Sequence, residues 1–440
     1  MIHAEVHLWG TRIGAVSLSR EGNSVVVFEY DENFISAATD IEPAPLKMKR
    51  RPGLFSFPED SLRTFHGLPG LLVDSLPDKF GTSLLNRWFA ETGRNPESLN
   101  IIERLLYIAD RGMGALSYQP SRRFIEESPI HELNMDDLGK LANMVLKRDT
   151  KLHLTGRRGQ AALDLIRVGT SAGGARAKAL VAEDLSGKFK PGHMIYPDPH
   201  RYWLLKFDGV EENSDGDSPD PPGMTTVEYI YSIIAKRCGI CMPECRLLKK
   251  GEQRHFMIER FDRITDDSKT EKLHYASWCG IAQAHRDWPG AYGYEQLALT
   301  AHQLALPYTD MEELFRRAVY NIVGVNNDDH TKNTGFLMNR SGEWRLSPAF
   351  DLTYTWDPKG KWTKGHQSSL GGKTVSHSIE DLKNFASHCD VSNRDALRII
   401  RTVKEAFAEW GGLSAEYDVP KELAETITYK LNEANRYLTA

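Results

Sequence analysis

The chain has 440 residues, of which 40% are hydrophobic and 26% charged, and a formal net charge of -5. That length predicts about two to four domains or lobes, and the mild acidity excludes a protein that wraps nucleic acid through bulk electrostatics. No apolar run approaches the ~20 residues of a membrane helix, and Met1-Ile2-His3-Ala4-Glu5 lacks the basic-then-apolar start of a secretory signal, so the expected location is the cytoplasm with no membrane partner.

Residues 1 to about 30 alternate as strands, with His3, Glu5 and His7 set against Val6 and Leu8, and Val25-Val26-Val27-Phe28 following the turn Glu21-Gly22-Asn23-Ser24. This predicts a hairpin meander. Pro43-Ala44-Pro45 and Arg51-Pro52-Gly53 then break the chain, and a helical region is expected over about 71–107. Asn134 is the predicted cap of an amphipathic helix over 134–147, which sets Leu138, Leu141, Ala142 and Val145 on one face.

The stretch Gly169-Thr170-Ser171-Ala172-Gly173-Gly174-Ala175-Arg176-Ala177-Lys178 has few bulky side chains. Its backbone N–H groups can approach phosphate oxygens closely, although the same composition serves a plain turn. It matches neither the P-loop nor the dinucleotide fingerprint. Arg201-Tyr202-Trp203-Leu204-Leu205-Lys206-Phe207 reads as a strand with one lysine among apolar residues. That lysine either keeps its head in water at a sheet edge or grips phosphate.

An acidic, Pro-rich loop over 208–224 lacks the glycine and distal glutamate of an EF-hand. Thr225 and Glu228 read as a capping box for the next helix, with Ile230, Tyr231 and Ile234 inward and Gly239 at its end. Glu228 also stands where a kinase places the glutamate that pairs its lysine. Cys238, Cys241 and Cys245 have no second Cys-x-x-Cys pair to complete a zinc site. Phe256-Met257-Ile258-Glu259-Arg260-Phe261-Asp262-Arg263 is a strand ending in a charged turn, and the pattern is helical from about residue 273. Thr309-Asp310-Met311-Glu312 is the predicted cap of a helix with Leu314, Phe315, Ala318, Val319, Ile322 and Val323 inward. The last helix starts near Pro420 and carries Leu423, Ile427, Leu431, Ala434 and Leu438 on one face. A strand-rich first half and a helix-rich second half imply an α+β protein with a cleft between lobes.

Asn327-Asp328-Asp329-His330-Thr331-Lys332-Asn333, an apolar hairpin pattern over 335–346 and Pro348-Ala349-Phe350-Asp351 carry the chemistry. Phosphoryl transfer needs a carboxylate to orient a hydroxyl and hard oxygen ligands for Mg²⁺. Asp328, Asn333 and Asp351 supply these groups in the order that kinases use. Read alone, Asn-Asn-Asp-Asp is also a polar turn.

Taken together, Ser171 to Lys178, Lys206, Ile258 to Arg263, Asp328 to Asn333 and Ser347-Pro348-Ala349-Phe350-Asp351 resemble the HipA-type toxin serine/threonine kinases of bacterial toxin–antitoxin systems. Leu8-Trp9-Gly10 and Leu72-Val73-Asp74-Ser75-Leu76-Pro77-Asp78 resemble that family's N-terminal subdomain. The resemblance implies a two-lobed protein-kinase-like fold: an N-terminal subdomain over 1–125, a strand-rich N-lobe over 126–262 and a helical C-lobe over 263–440. It implies ATP and Mg²⁺ as cofactors, Asp328 as catalytic base, and Asn333 and Asp351 as metal ligands. Gly173, Gly174, Ala175, Arg176, Ala177 and Lys178 would cover the phosphates and Lys206 would bind them. Glu259, Arg260 and Phe261 would lie along the nucleotide, and His330 and Lys332 would border the γ-phosphate. Ser171 matches the family's autophosphorylation position, where a phosphate of roughly -1.5 to -2 charge would expel the loop and switch the enzyme off.

The same resemblance implies a protein target such as an aminoacyl-tRNA synthetase, growth arrest, a helix-turn-helix antitoxin, and DNA contact only through that antitoxin. Asp329 stands where some members have Gly and would bring an extra carboxylate near the metal. Arg176-Ala177 replaces a Gln-Glu pair, and the 208–224 and 278–294 segments are expected to face partner or substrate. A small-molecule kinase of the aminoglycoside or choline type, which shares Asp-x4-Asn, and a non-catalytic co-repressor remain alternatives.

Overall fold

A computed structural model describes residues 2–18, 25–58, 64–121, 132–146, 156–169, 176–209, 221–266 and 269–438. The expected turn at 21–24, most of the 208–224 loop, and Ser171, Gly173, Gly174 and Ala175 lie outside the described residues. The chain divides into two compact units. The first contains residues 1–216, 257–276 and 337–343, and the second contains 217–256, 277–336 and 344–440.

In the first unit the expected meander forms from β1 (His3–Leu8), β2 (Thr11–Leu18) and β3 (Val26–Tyr30), each antiparallel to the next. With β4 (Leu54–Phe55) and β5 (Leu116–Gln119) they give the order β4-β3-β2-β1-β5. Alternation sets the buried face, since Ala4, Val6, Leu8, Val16, Phe28 and Tyr30 are all core residues. The helical region resolves into Gly70–Val73, Lys79–Glu91 and Ile101–Ile108. Asp78 caps the second by accepting from Gly81 N at 2.7 Å, and Asn100 with Glu103 forms a capping box on the third. Such caps contribute about 1 kcal/mol each. Asn134 opens the helix Met135–Leu146, accepting from the N–H groups of Asp136 and Asp137.

A second sheet holds β6 (Lys178–Glu183), β7 (Phe189–Pro191) and β8 (Arg201–Lys206), in the order β7-β6-β8. β6 and β8 run antiparallel, with Lys178 opposite Lys206 and Glu183 opposite Arg201. Beyond β8 lies the C-terminal end of the strand Gln253–Glu259, and Arg260 N donates to Tyr202 O at 2.8 Å. The chain then enters a buried ion cluster. Arg260 donates through Nε and Nη2 to the two Asp262 oxygens at 2.9 and 2.8 Å, and Arg263 Nη1 donates to Asp262 Oδ2 at 2.6 Å. Gly114 N completes the set on Asp262 Oδ2 at 2.7 Å. Burial opposes ionisation of Asp262, but the two guanidiniums and the Gly114 N–H outweigh it and hold the carboxyl well below the usual range. Gly114 has φ +79°, and a Cβ there would sit 2.8 Å from Tyr275 N, so both the conformation and the close approach require glycine.

The second unit is mainly helical. Tyr308–Val323 lies against Asn393–Ala408, Tyr294–Gln303 and Lys421–Asn435. Its buried residues include all six that periodicity predicts: Leu314, Phe315, Ala318, Val319, Ile322 and Val323. Burying an aliphatic or aromatic side chain of this size contributes about 1.5–3 kcal/mol, which makes this helix a stable base for the loop that follows. At its end a Cβ on Gly324 would collide with the Phe407 ring at 2.3 Å, while Gly324 O accepts from Tyr231 OH at 2.8 Å.

Three local expectations are corrected. The helix Met224–Arg237 starts after Gly223 with no side-chain cap, and Thr225 Oγ1 donates instead to Arg254 O at 2.7 Å. Glu228, 1% exposed, is therefore a buried group inside the helix rather than half of a capping box. The helix expected to be capped by Thr309 begins at Tyr308 after Pro307, because Asp310 is drawn to the guanidinium of Arg345 at 2.7 and 2.8 Å and to Leu346 N at 2.9 Å. Before the helices that follow residue 273 there is a strand, His274–Ser277. No helix among the described residues is long and apolar enough to cross a membrane.

Candidate active site

The polar run after Val323 is not a free turn. Thr355 Oγ1 donates to Asn326 Oδ1 at 3.0 Å and accepts from Asp328 N at 2.9 Å. Asn326 Nδ2 donates to Asn321 Oδ1 at 3.0 Å and to Asp351 O at 3.3 Å, so one amide ties the helix end to the backbone of the second acidic residue. Asn327 Nδ2 donates to Thr363 O at 2.9 Å. On the other side, Trp278 N donates to Thr334 O, Cys279 N to Thr331 O, and Thr331 Oγ1 to Ala284 O at 3.0 Å. A loop with so many directed bonds holds one geometry.

Within it, Asn333 Nδ2 donates to Asp328 O at 2.6 Å. That bond commits the nitrogen end of the amide and turns its oxygen, the end that binds cations, the other way. The hairpin Gly335–Met338 to Trp344–Leu346, anchored by Asp310, brings the chain to Asp351, which adopts φ 52°. Asp tolerates this left-handed region better than most residues. Asn333 and Asp351 line one cavity of about 20 Å³, together with Asn326, Phe350 and Ser368. A space of that size holds one small ion or water. An amide oxygen and a carboxylate on a one-ion cavity suit Mg²⁺, which takes few protein oxygens and keeps waters.

The two adjacent aspartates have opposite environments. The Asp328 side chain is 38% exposed and Asp329 only 2%. Asp328 Oδ1 accepts from Gln367 Nε2 at 2.6 Å. Asp329 Oδ1 accepts from the N–H groups of Gln367 and Ser368 at 2.7 and 3.1 Å, and its Oδ2 accepts from Tyr294 OH at 2.6 Å and His366 Nδ1 at 2.9 Å. Four donors fill the acceptor capacity of that carboxylate. Asp329, where an extra carboxylate near the metal is expected, lines the same cavity as Asn333 and Asp351, and its oxygens clamp the 366–368 segment.

His330 Nδ1 accepts from Lys332 N at 3.2 Å, which puts the ring proton on Nε2, 3.8 Å from Asp328 Oδ1. Burial, aided by the Arg286 charge, pushes its pKa down to about 3 despite the opposing pull of Asp351, so the ring is neutral at physiological pH. Burial likewise pushes His193 to about 3 and His274 and His377 to about 4. Each of these four rings binds its proton more weakly folded than unfolded. Their contribution to stability is complete above the ordinary value near 6.5 and declines as pH falls from there toward 4 and 3. Urea melts between pH 7.5 and 4.5 should show a midpoint that drops steadily below pH 6.5; a flat profile would contradict neutral burial of these rings.

The remaining expected residues lie in the first unit. Lys206 is buried in β8 opposite Lys178. Lys178 is itself buried and paired with Asp78 at 3.3 Å, so its head is directed at a helix N-terminus. Ala177 is buried and Arg176 partly exposed. Glu259 takes a bidentate bond from Arg201 at 2.9 and 3.0 Å, and Phe261 packs 5.8 Å from the Tyr275 ring. Arg260, expected along the nucleotide, is 3% exposed, with its side chain turned onto Asp262 and Gly192 O. Sequence reasoning missed Thr355, His366, Gln367 and Ser368. Gln367 lies 39 residues from its partner Asp328 and carries no motif that could announce it.

Comparison with known proteins agrees with this architecture. HipA of the Shewanella oneidensis MR-1 toxin–antitoxin system, solved with HipB and its operator DNA, superposes with a TM-score of 0.63 at 14% identity, covering 99% of this chain and 97% of that one. The fold is the two-lobed, protein-kinase-like α+β fold. The family model for the HipA-like C-terminal domain matches residues 170–410, and that for the HipA N-terminal domain matches 4–119. The chain belongs to the HipA family. A Haemophilus influenzae protein named "Putative kinase" is 30% identical over 36% of this chain and 49% of its own length. "Putative kinase Y4dM" of Sinorhizobium fredii is 25% identical over 51% of this chain and 55% of its own. The chain thus spans about half the length of these curated relatives.

Proposed function

We propose that this protein is an ATP- and Mg²⁺-dependent serine/threonine-protein kinase of the toxin type. The observation that carries the reading is the arrangement around Asp328: a half-exposed carboxylate fixed by Gln367, an Asn333 amide turned by the Asp328 carbonyl, and Asp351 on the same small cavity as Asn333. Asp328 would accept the proton of an acceptor hydroxyl. Asn333 and Asp351 would hold Mg²⁺, and neutral His330 would offer an Nε2–H donor beside the base. Lys206 would bind phosphate, with Arg176 and Ala177 part of the covering loop; Lys178 supports that loop's strand through Asp78. Glu259 and Phe261 would border the nucleotide. Bound Mg²⁺–ATP supplies the electrophilic phosphorus and neutralises charge on the transferring group.

The proposed acceptor is a protein hydroxyl, with a translation component such as an aminoacyl-tRNA synthetase as the target whose modification arrests growth. Ser171 is the proposed self-inactivation site. A DNA-binding helix-turn-helix antitoxin is the proposed partner, in keeping with the HipB and operator DNA solved with the Shewanella protein and with a net charge of -5 that favours DNA contact through a partner. The test is intact-mass and phosphosite analysis of dephosphorylated protein incubated with ATP, with and without Mg²⁺. One phosphate gained on Ser171 only with Mg²⁺ is expected. A protein that neither modifies itself nor phosphorylates added synthetases under these conditions would refute the kinase reading.

A further inference from the structure

We infer that Gln367 is the positioning residue of the base, a role that rests on the kinase reading above. A directed hydrogen bond narrows the orientations of a carboxylate that is 38% exposed, and few of them present an oxygen in line with an acceptor hydroxyl. The Gln367 amide supplies such a bond, at 2.6 Å from Nε2 to Asp328 Oδ1. Gln367 is itself 6% exposed and is fixed through its main chain on three sides. Its N–H donates to Asp329 Oδ1 at 2.7 Å and to Asn327 O at 3.1 Å, and its carbonyl accepts from Gly290 N at 2.8 Å. The amide is thus carried by a backbone tied to both neighbours of the base and to the 285–292 segment.

The choice of side chain fits the role. Lysine or arginine at this place would bring a cation that competes for phosphate oxygens, and a carboxylate would repel Asp328. An amide donates one directed hydrogen bond without adding charge, beside a site already surrounded by His330, Lys332, Arg286, Asp329 and Asp351. Because the main-chain bonds of residue 367 do not depend on its side chain, replacing only the side chain removes this bond to Asp328 and leaves the clamp on Asp329 in place.

The experiment is a double-mutant cycle on Mg²⁺–ATP-dependent phosphotransfer, using wild type, Gln367→Leu, Asp328→Asn and the double variant of the full chain. Gln367→Leu is expected to lower kcat by about 10²-fold with KM for ATP within about twofold. In the Asp328→Asn background the same change should matter by less than about twofold, since its effect passes through the base. Gln367→Glu, which keeps the size but repels Asp328, should be as slow as Gln367→Leu and serves if the leucine variant fails to fold. Unchanged kcat in Gln367→Glu or Gln367→Leu, or a full additive loss in the double variant, would overturn the positioning role while leaving the kinase reading intact. Absence of transfer by wild type would overturn both.

Discussion

Asp328→Asn is expected to slow phosphotransfer by about 10²–10⁴-fold while moving the thermal midpoint by no more than about a degree or two. The loss follows from removing the only function that the isosteric amide cannot supply, proton acceptance from the hydroxyl. Stability should hold because the remaining ties do not need a carboxylate. Asn Oδ1 can still accept from Gln367, Thr355 bonds the backbone N–H, and Asn333 bonds the backbone carbonyl. The side chain is 38% exposed, so no buried charge is altered. Asp329→Asn provides the opposite control. There the new NH₂ group must face N–H and O–H donors in a site 2% exposed, and the expected result is a lowered midpoint. Single-turnover mass analysis and a melting curve on both variants separate the cases. An Asp328→Asn protein that transfers phosphate at the wild-type rate would remove Asp328 from the chemistry.

Asp262→Ala is expected to destabilise the protein by about 3–5 kcal/mol. Asp262 is fully buried and is the shared counter-ion of two guanidiniums that are themselves 1% exposed. Removing it strands Arg260 and Arg263 in a low-dielectric interior and leaves Gly114 N without its acceptor. Burial already pushes Arg263 down to about 10, even with Asp262 present. The measurement is the urea midpoint at pH 7.5, and a loss under about 1 kcal/mol would show that the cluster adds nothing to stability. The sign with pH is fixed by the depressed Asp262: its contribution is complete above the ordinary carboxylate range and is lost only as pH falls below that range.

Much of the fold was legible because it depends on periodicity. The β1–β3 meander, the helix opened by Asn134, the inward face of Tyr308–Val323 and the final helix Lys421–Asn435 all follow from which residues can be buried at period 2 or 3.6. Capping was less legible. Thr225–Glu228 and Thr309–Glu312 both look like helix starts, yet tertiary partners claimed Thr225 and Asp310. The site divides in the same way. Asp328, Asn333 and Asp351 are close in sequence, at a spacing that the proposed reaction would constrain, and the structure places Asn333 and Asp351 on one cavity. The side-chain partners of Arg260 and Asp329 were not legible, because an ionised side chain looks the same in a sequence whether it faces a ligand or a buried partner. Gln367 could not be found at all, since its meaning comes from a partner 39 residues away.

The Gly114–Asp262 bond also bears on how members of this family can be recombined. The segments matched by the two family models, 4–119 and 170–410, look like separable cassettes, but the loop 112–114 and the pair 262–263 complete each other inside one compact unit. A chimera that exchanges residues 4–119 for those of a relative inherits this junction and must bring a glycine at position 114, where a side chain would strike Tyr275. Domain shuffling in this lineage is thus constrained at a seam just inside the C-terminal end of the first segment, whose partner lies about 150 residues further along the chain, and a swap that ignores it trades a modular exchange for a folding defect.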